Sequence, residues 1–176
     1  PREGQSVEKL AKLKPCFVFD GTGTVTAANS SSLNDGAAAV VVMSREKAEE
    51  LGLEPMLVIK GYAVAGIAAD IMGYAPKLSS EKLAKQLNLD LKAIDMFEIN
   101  EAFASQAYAV RRDLGLDPEK VNIYGGGISI GHPIGATGCI LATKVAYELK
   151  HSDKKDAMIS MCSGGGQGIS MYFTKA

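Results

Sequence analysis

Ala157 to Phe173, AMISMCSGGGQGISMYF, holds two apolar runs, Ala157 to Met161 and Gly168 to Phe173, on either side of a glycine-rich bend. Such a pair predicts a β-hairpin whose unusually broad turn exposes backbone. Just before it, a helical pattern runs from about Ala136 to Leu149, preceded by a Gly-rich loop and a short strand, Val121 to Tyr124. Further back come a helix from Glu101 to about Leu114 closed by Gly115, a strand Met96 to Ile99, and a helix capped by Ser79 or Ser80 that reaches Leu87. β-type sequence at Met56 to Ile59 follows a Ser44-capped helix that ends near Leu51 with Gly52 in the left-handed terminating position. Helices and strands that alternate in this way imply a layered α/β fold.

The first third of the chain differs in texture. Ser6 caps a short amphipathic helix stopped by Pro15. Asp20 to Asp35 is mostly Gly, Thr, Ser, Asn and Ala, which reads as irregular, and Ala37 to Met43 has the composition of a buried strand. The Gly52 to Pro55 connection is the expected boundary, dividing the chain into residues 1–54 and 55–176.

With 176 residues, 47% of them hydrophobic, the chain can bury a sizeable core. A net charge of -1, from 19 Lys and Arg against 20 Asp and Glu, gives no overall attraction to nucleic acid or an anionic membrane. The longest apolar run, Gly36 to Met43, is far too short to span a bilayer. Cys16, Cys139 and Cys162 form no C-x-x-C pair, so neither a disulfide framework nor a metal site is expected, and a reducing cytoplasm is the simplest setting. A start at Pro1, without Met or leader, is the start expected of an excised piece.

Three residues carry candidate chemistry. Asn100 stands between a strand and a helix, where an Asn commonly serves as a helix cap. It is also at a strand C-terminal end, where ligand crevices of α/β sheets form. His132 lies in GGGISIGHPIGATG, Gly125 to Gly138, which resembles a phosphate loop until His132 and Pro133 replace its Lys and Ser/Thr. The glycines there suit an imidazole held rigidly and kept neutral near a helix start, able to donate a hydrogen bond to a developing oxyanion. Cys162 precedes four glycines within six residues, as expected where backbone approaches a ligand. Its bland alternative is a small buried hydrophobe, and its chemical one a proton shuttle once its pKa falls toward neutrality. His151, among charged neighbours, reads as solvated.

In order and spacing, NEAFA (Asn100 to Ala104), the GHPIGATG run and CSGGGQG (Cys162 to Gly168) resemble the C-terminal signature of the thiolases, and DGTGTVTAANSSSLNDGAAAVVVMS (Asp20 to Ser44) resembles an upstream segment of the same family. The resemblance covers essentially the whole chain. It implies a thiolase-like fold, a mixed five-stranded sheet covered by helices, preceded by the end of an N-terminal and loop-domain region.

The resemblance also implies roles. Asn100, through a water, and His132 would form an oxyanion hole for the thioester oxygen of acetyl-CoA. Cys162 would remove and return protons at the acetyl methyl, and the backbone N–H of Gly164 would serve a second oxyanion hole. Ser31 would lie beside the pantetheine arm of CoA, and Met72 and Phe103 would shape the acyl pocket. Ser32 and Tyr74-Ala75 depart from the family's usual Gly and small-residue pattern. No permanent cofactor is implied; coenzyme A thioesters are substrates, and acetyl-CoA, acetoacetyl-CoA, the N-terminal thiolase half and a homo-oligomer are the expected partners. The implied reaction is reversible Claisen condensation of two acetyl-CoA. A degradative 3-ketoacyl-CoA thiolase, a non-catalytic CoA-binding module and a nucleotide-binding loop are the alternatives. Nothing before Cys162 resembles the family's nucleophilic cysteine, so the chain alone is expected to be inactive.

Overall fold

The computed structural model describes residues 3–176; Pro1 and Arg2, the start of the first expected unit, lie outside the described residues. Its strands are β1 (Leu57–Gly66), β2 (Met96–Ile99), β3 (Asp156–Ser163) and β4 (Gln167–Lys175). Its helices are α1 (Val7–Leu10), α2 (Arg45–Glu50), α3 (Ala75–Leu87), α4 (Ala104–Asp113), α5 (Gly127–Ile130) and α6 (Thr137–His151). Among the described residues the strands form one sheet in the order β1-β4-β3-β2. β3 and β4 are the expected hairpin, with Cys162 opposite Gly168. β4 is also antiparallel to β1, whereas β2 and β3 run parallel.

Residue alternation explains why helices cover both faces. On β2, Phe97 and Ile99 point into one core with Leu83 of α3, Val110 of α4, Met158 and Tyr172. Met96 points the opposite way, toward Val145 and Leu149 of α6, Ala157 and Phe173. All four β2 residues are buried, Glu98 among them, and although β2 ends the sheet order its outer edge is met by Val121 and the Asn122 side chain. Each apolar side chain taken out of water contributes about 1.5–3 kcal/mol.

The expected sheet class holds, but the strand count is four rather than five. Val121 makes a single parallel bridge to Phe97. The next residue, Asn122, takes a φ of 51°, which breaks the extended run after one bridge. Its side chain then stands in for the lost ladder: Oδ1 accepts the N–H of Ile99 at 2.8 Å, and Nδ2 donates to the Ile99 carbonyl at 2.9 Å.

Two other expectations are corrected. Ala37 to Met43 is not a buried strand: among the described residues no strand lies beside it, and Val41 and Val42 are exposed. β-type sequence without a ladder partner has nothing to pair its backbone with. In α3 the start signal is Pro76 in the first turn, so the helix begins at Ala75, before the serines expected to cap it. Ser79 and Ser80 instead lie inside the helix, and their hydroxyls meet that of Ser170 on β4 at 2.7 and 2.9 Å. Gly52, with a φ of 62°, ends α2 as its sequence position implied.

That buried serine trio yields a test. Ser170→Ala would strip the shared partner from two buried hydroxyls, and a loss of about 1–3 kcal/mol is expected. It would appear as a lower urea midpoint at unchanged slope.

Candidate active site

Asn100 follows β2 and continues its pairing, donating its N–H to the Ser160 carbonyl of β3 at 2.9 Å. Its side chain does not cap a helix, because α4 begins only at Ala104. The reason lies with Glu101, expected as the first helical residue. Its carboxylate is instead drawn toward the sheet end, accepting from Asn122 Nδ2 at 3.0 Å and from the Ile128 N–H at 3.2 Å. The Asn100 amide is thereby left buried and free for another partner, and lies 3.3 Å from Nε2 of His132.

His132 is fixed from three directions. Gly131 supplies a φ of 93°, and a side chain there would place its first carbon 2.3 Å from Oδ1 of Asn34. That oxygen accepts the His132 N–H at 3.1 Å, while the Ser32 carbonyl accepts it at 3.2 Å. The ring's Nδ1 lies 2.7 Å from the hydroxyl of Thr137, the first residue of α6. Burial pushes the imidazole's pKa below its usual value and so favours the neutral form. A neutral ring was expected; burial is its cause.

Cys162 is the penultimate residue of β3 and is almost wholly buried. Burial pushes its thiol up from 9.0, opposite to the depression expected of a proton shuttle, so the sulfur rests protonated at neutral pH. The turn beyond it is shaped by Gly166, whose φ of 91° leaves a substituent 2.1 Å from the Ile67 carbonyl oxygen. Its own carbonyl accepts the Ile67 N–H at 2.7 Å, pinning the turn to the end of β1. Gly164 is exposed at this turn and faces open space. Because β2 and β3 are parallel neighbours with Ile99 opposite Ser160, Asn100 and Cys162 emerge at the same end of the sheet. Asn100 and His132 are in direct contact; among the described residues no hydrogen bond links Cys162 to either.

The remaining predicted residues gather beside this end. Ser31 donates its N–H to the Ala102 carbonyl at 3.0 Å, Ala104 donates to the Asn29 carbonyl at 2.8 Å, and Ser30 bridges Phe103. The irregular segment is thus laid along the NEAFA run. Phe103 meets Phe17 edge to face, with ring centroids 6.5 Å apart. Met72 and Phe103 line one open groove of about 390 Å³, shared with Tyr74 and Gln106. Tyr74, one of the departures noted in the sequence, ties the groove's far wall to α4 by donating to Asp113 at 2.6 Å. His151, expected to be simply solvated, is exposed but stacks on Tyr147.

Several contributors escaped sequence reasoning. Thr137, Asn34 and Asn122 act only through partners distant in sequence or through an uncommon backbone conformation; the hydroxyl at the start of a helical pattern was the one visible signal. Glu98 and Lys144 form an ion pair beneath the site, and Lys144 also donates to the Gly125 carbonyl at 2.7 Å, tying α6 to the loop that leads to His132. Among the described residues no group of three or more His, Cys, Asp or Glu side chains is arranged to hold a metal ion.

Comparison with known proteins gives a concordant result. The family model "Thiolase, C-terminal domain" matches residues 53–175, and "Thiolase, N-terminal domain" matches residues 1–46. An acetyl-CoA acetyltransferase of Cupriavidus necator is 49% identical over 170 residues, 97% of this chain and 43% of that protein. The crystal structure of the Bacillus anthracis acetyl-CoA acetyltransferase superposes with a TM-score of 0.93 at 45% identity, covering 100% of this chain and 44% of that one. Human mitochondrial 3-ketoacyl-CoA thiolase in complex with CoA gives a TM-score of 0.93 at 40% identity, over 99% of this chain and 44% of that one. The chain therefore spans less than half the length of these relatives.

Glu98 provides a measurable signature of the buried pair. Burial raises its pKa from 4.5 to about 7, against the downward pull of Lys144. The folded chain thus holds a proton that the unfolded chain releases, so this contribution to stability is complete below about pH 4.5 and is lost as pH rises to about 7. Denaturant titrations across that window should show a loss of up to roughly 3 kcal/mol from this group. Glu98→Gln, which cannot titrate, should abolish that slope.

Proposed function

The chain belongs to the thiolase family, and from that premise we propose that it supplies the C-terminal half of an acetyl-CoA C-acetyltransferase active site. The observation that carries this reading is the contact between Asn100 and His132 at the sheet end where Cys162 also emerges. Claisen chemistry needs a base at carbon and donors at oxygen, and this end of the sheet offers both.

In the proposed reaction, the thioester oxygen of acetyl-CoA is held by His132 and, through a water, by Asn100. Cys162 sulfur takes a proton from the acetyl methyl group, and the electron pair of that C–H bond moves onto the thioester oxygen as an enolate. The enolate carbon attacks an acyl group carried on a cysteine of the N-terminal half, forming the new C–C bond and releasing that cysteine as a thiolate. The Gly164 N–H supports the oxygen of the attacked carbonyl. Removing a donor of this kind typically costs about 3 to 4 kcal/mol of transition-state stabilisation.

The raised thiol pKa of Cys162 sets its resting form, and each direction of the reversible reaction uses one of its two protonation states. A thiol protonated at rest is ready to donate, which is what cleavage of acetoacetyl-CoA asks of it when the enolate is reprotonated. Condensation asks for the thiolate, and the environment that lowers the pKa must come from bound thioester or from the other half. Ser31 would flank the pantetheine arm, while Met72 and Phe103 would bound the acyl group. We place the division between the two domains at residues 1–54 and 55–176, expect a homo-oligomer of the complete enzyme, and assign it to a reducing cytoplasm. The exposed Ala37 to Met43 segment would pair with the N-terminal half.

A degradative 3-ketoacyl-CoA thiolase is the second reading, favoured by the likeness to the human enzyme and by the openness of the Met72 and Phe103 groove. Cleavage rates for acetoacetyl-CoA and a long-chain 3-ketoacyl-CoA, measured with the two halves joined, separate the two readings: a strong preference for the short substrate is expected.

Neither Cys16, exposed near the N-terminus, nor Cys139, inside α6, has sequence surroundings that resemble those of the family's nucleophile. The 176-residue chain alone is therefore expected to show no CoA-dependent cleavage of acetoacetyl-CoA, since covalent acyl transfer requires the absent nucleophile. With the halves joined, Cys162→Ala should lower condensation by about a hundredfold to ten-thousandfold. Normal rates from the chain alone, or from that variant, would overturn the assignment.

A further inference from the structure

Asn100 and His132 leave open which ring nitrogen carries the proton, and an oxyanion can be served only by Nε2–H. We propose that Thr137 is the positioning residue that settles this: its hydroxyl donates to Nδ1 of His132 and holds the imidazole as the Nε2–H tautomer. The inference deepens the functional reading above and takes its consequence from it, but the position of the proton stands on geometry alone.

The Thr137 hydroxyl has one hydrogen and two acceptors within reach, Nδ1 of His132 at 2.7 Å and the Pro133 carbonyl oxygen at 3.0 Å. That carbonyl already accepts two backbone N–H groups, from Ala136 at 2.8 Å and from Thr137 at 3.0 Å. A carbonyl oxygen has two lone pairs, and both are in use. The hydroxyl would be its third donor, whereas Nδ1 has no other partner among the described residues. Distance points the same way. The contact to Nδ1, 2.7 Å, is the shorter of the hydroxyl's two, against 3.0 Å to the carbonyl, as expected of the acceptor that takes its hydrogen. Thr137 is 4% exposed, which leaves little room for water to rearrange the bond.

A neutral ring that accepts at Nδ1 must carry its proton on Nε2. Burial keeps the ring neutral. The group facing Nε2 is the Asn100 amide, 3.3 Å away, and among the described residues this amide makes no other side-chain hydrogen bond. Its oxygen and nitrogen ends can therefore exchange places without loss, bringing the oxygen to Nε2–H. In the resting site Asn100 is then a stand-in acceptor, occupying the donor that a thioester oxygen takes over.

Nitrogen NMR of the histidine-labelled 176-residue chain, at mildly alkaline pH where the ring is neutral, reads the tautomer without any turnover. His151→Gln identifies the His132 signals by elimination. The expected pattern is an unprotonated-type shift for Nδ1 and a protonated-type shift for Nε2. Thr137→Ser, which keeps the hydroxyl, should retain it. Thr137→Val should move the two shifts toward each other as the ring loses its donor and samples both tautomers. A protonated-type Nδ1 in the unaltered chain overturns the proposal, as does an unchanged pattern in a folded Thr137→Val chain. If that variant does not fold, the unaltered and Thr137→Ser chains decide the matter. Failure of the catalytic reading would appear separately, in the joined-half assays, and would leave this spectrum as it is.

Discussion

Everything at the working end of this chain depends on how one short strand stops. β2 is four residues long and buried on both faces, so its last backbone groups cannot be left to water. The Asn122 side chain takes both hydrogen-bonding groups of Ile99, and Ser160 takes the N–H of Asn100. With backbone needs met by neighbours on either side, the Asn100 side chain owes nothing to the fold and can be presented to His132. Had the following helix begun at once, the same amide would have been consumed as a cap.

The second constraint is the density of main chain around the imidazole. Gly131 lets the loop pass against Asn34, and the segment holding Ser31, Ser32 and Asn34 reaches back over the NEAFA and His132 runs. Residues far earlier in the chain thus form part of the mould. The ion pair of Glu98 and Lys144 works from below, joining β2, α6 and the glycine loop in one contact. It is held under a desolvation penalty, which pushes Glu98 up to about 7.

What the sequence made legible was chemistry that demands a residue type. Singly, Asn100 read as a cap and Cys162 as a buried hydrophobe; with His132 they stood out because NEAFA, GHPIGATG and CSGGGQG occur together in the order and spacing of the thiolase signature, and the hairpin around Cys162 was explicit in its two apolar runs. The layered α/β class followed from alternation alone. What stayed hidden depended on conformations or partners that composition does not encode. Asn122 reads as an ordinary strand residue until its positive φ is seen, so a fifth strand was expected where a side chain does the work. Ser79 and Ser80 have the look of caps, but Ser170, some ninety residues away, gives them their use. The apolar run Ala37 to Met43 has every local mark of a buried strand; burial, however, belongs to a pair of strands, and among the described residues no strand pairs with it. Cys162 was expected to be acidified, and only its enclosure shows that the chain by itself does the reverse.

The pairing of β1 with β4 sets Leu57 opposite Lys175. The first strand of the sheet is thereby closed by the last, and the loop between them contains every other element of the sheet. Closing so long a loop is entropically costly, and folds governed by such distant contacts form slowly. During synthesis β1 must wait, edge exposed, until β4 has left the ribosome. Because β4 follows the glycine turn, the sheet that carries Asn100 and Cys162 is completed only once that turn has been made and β4 has returned to β1.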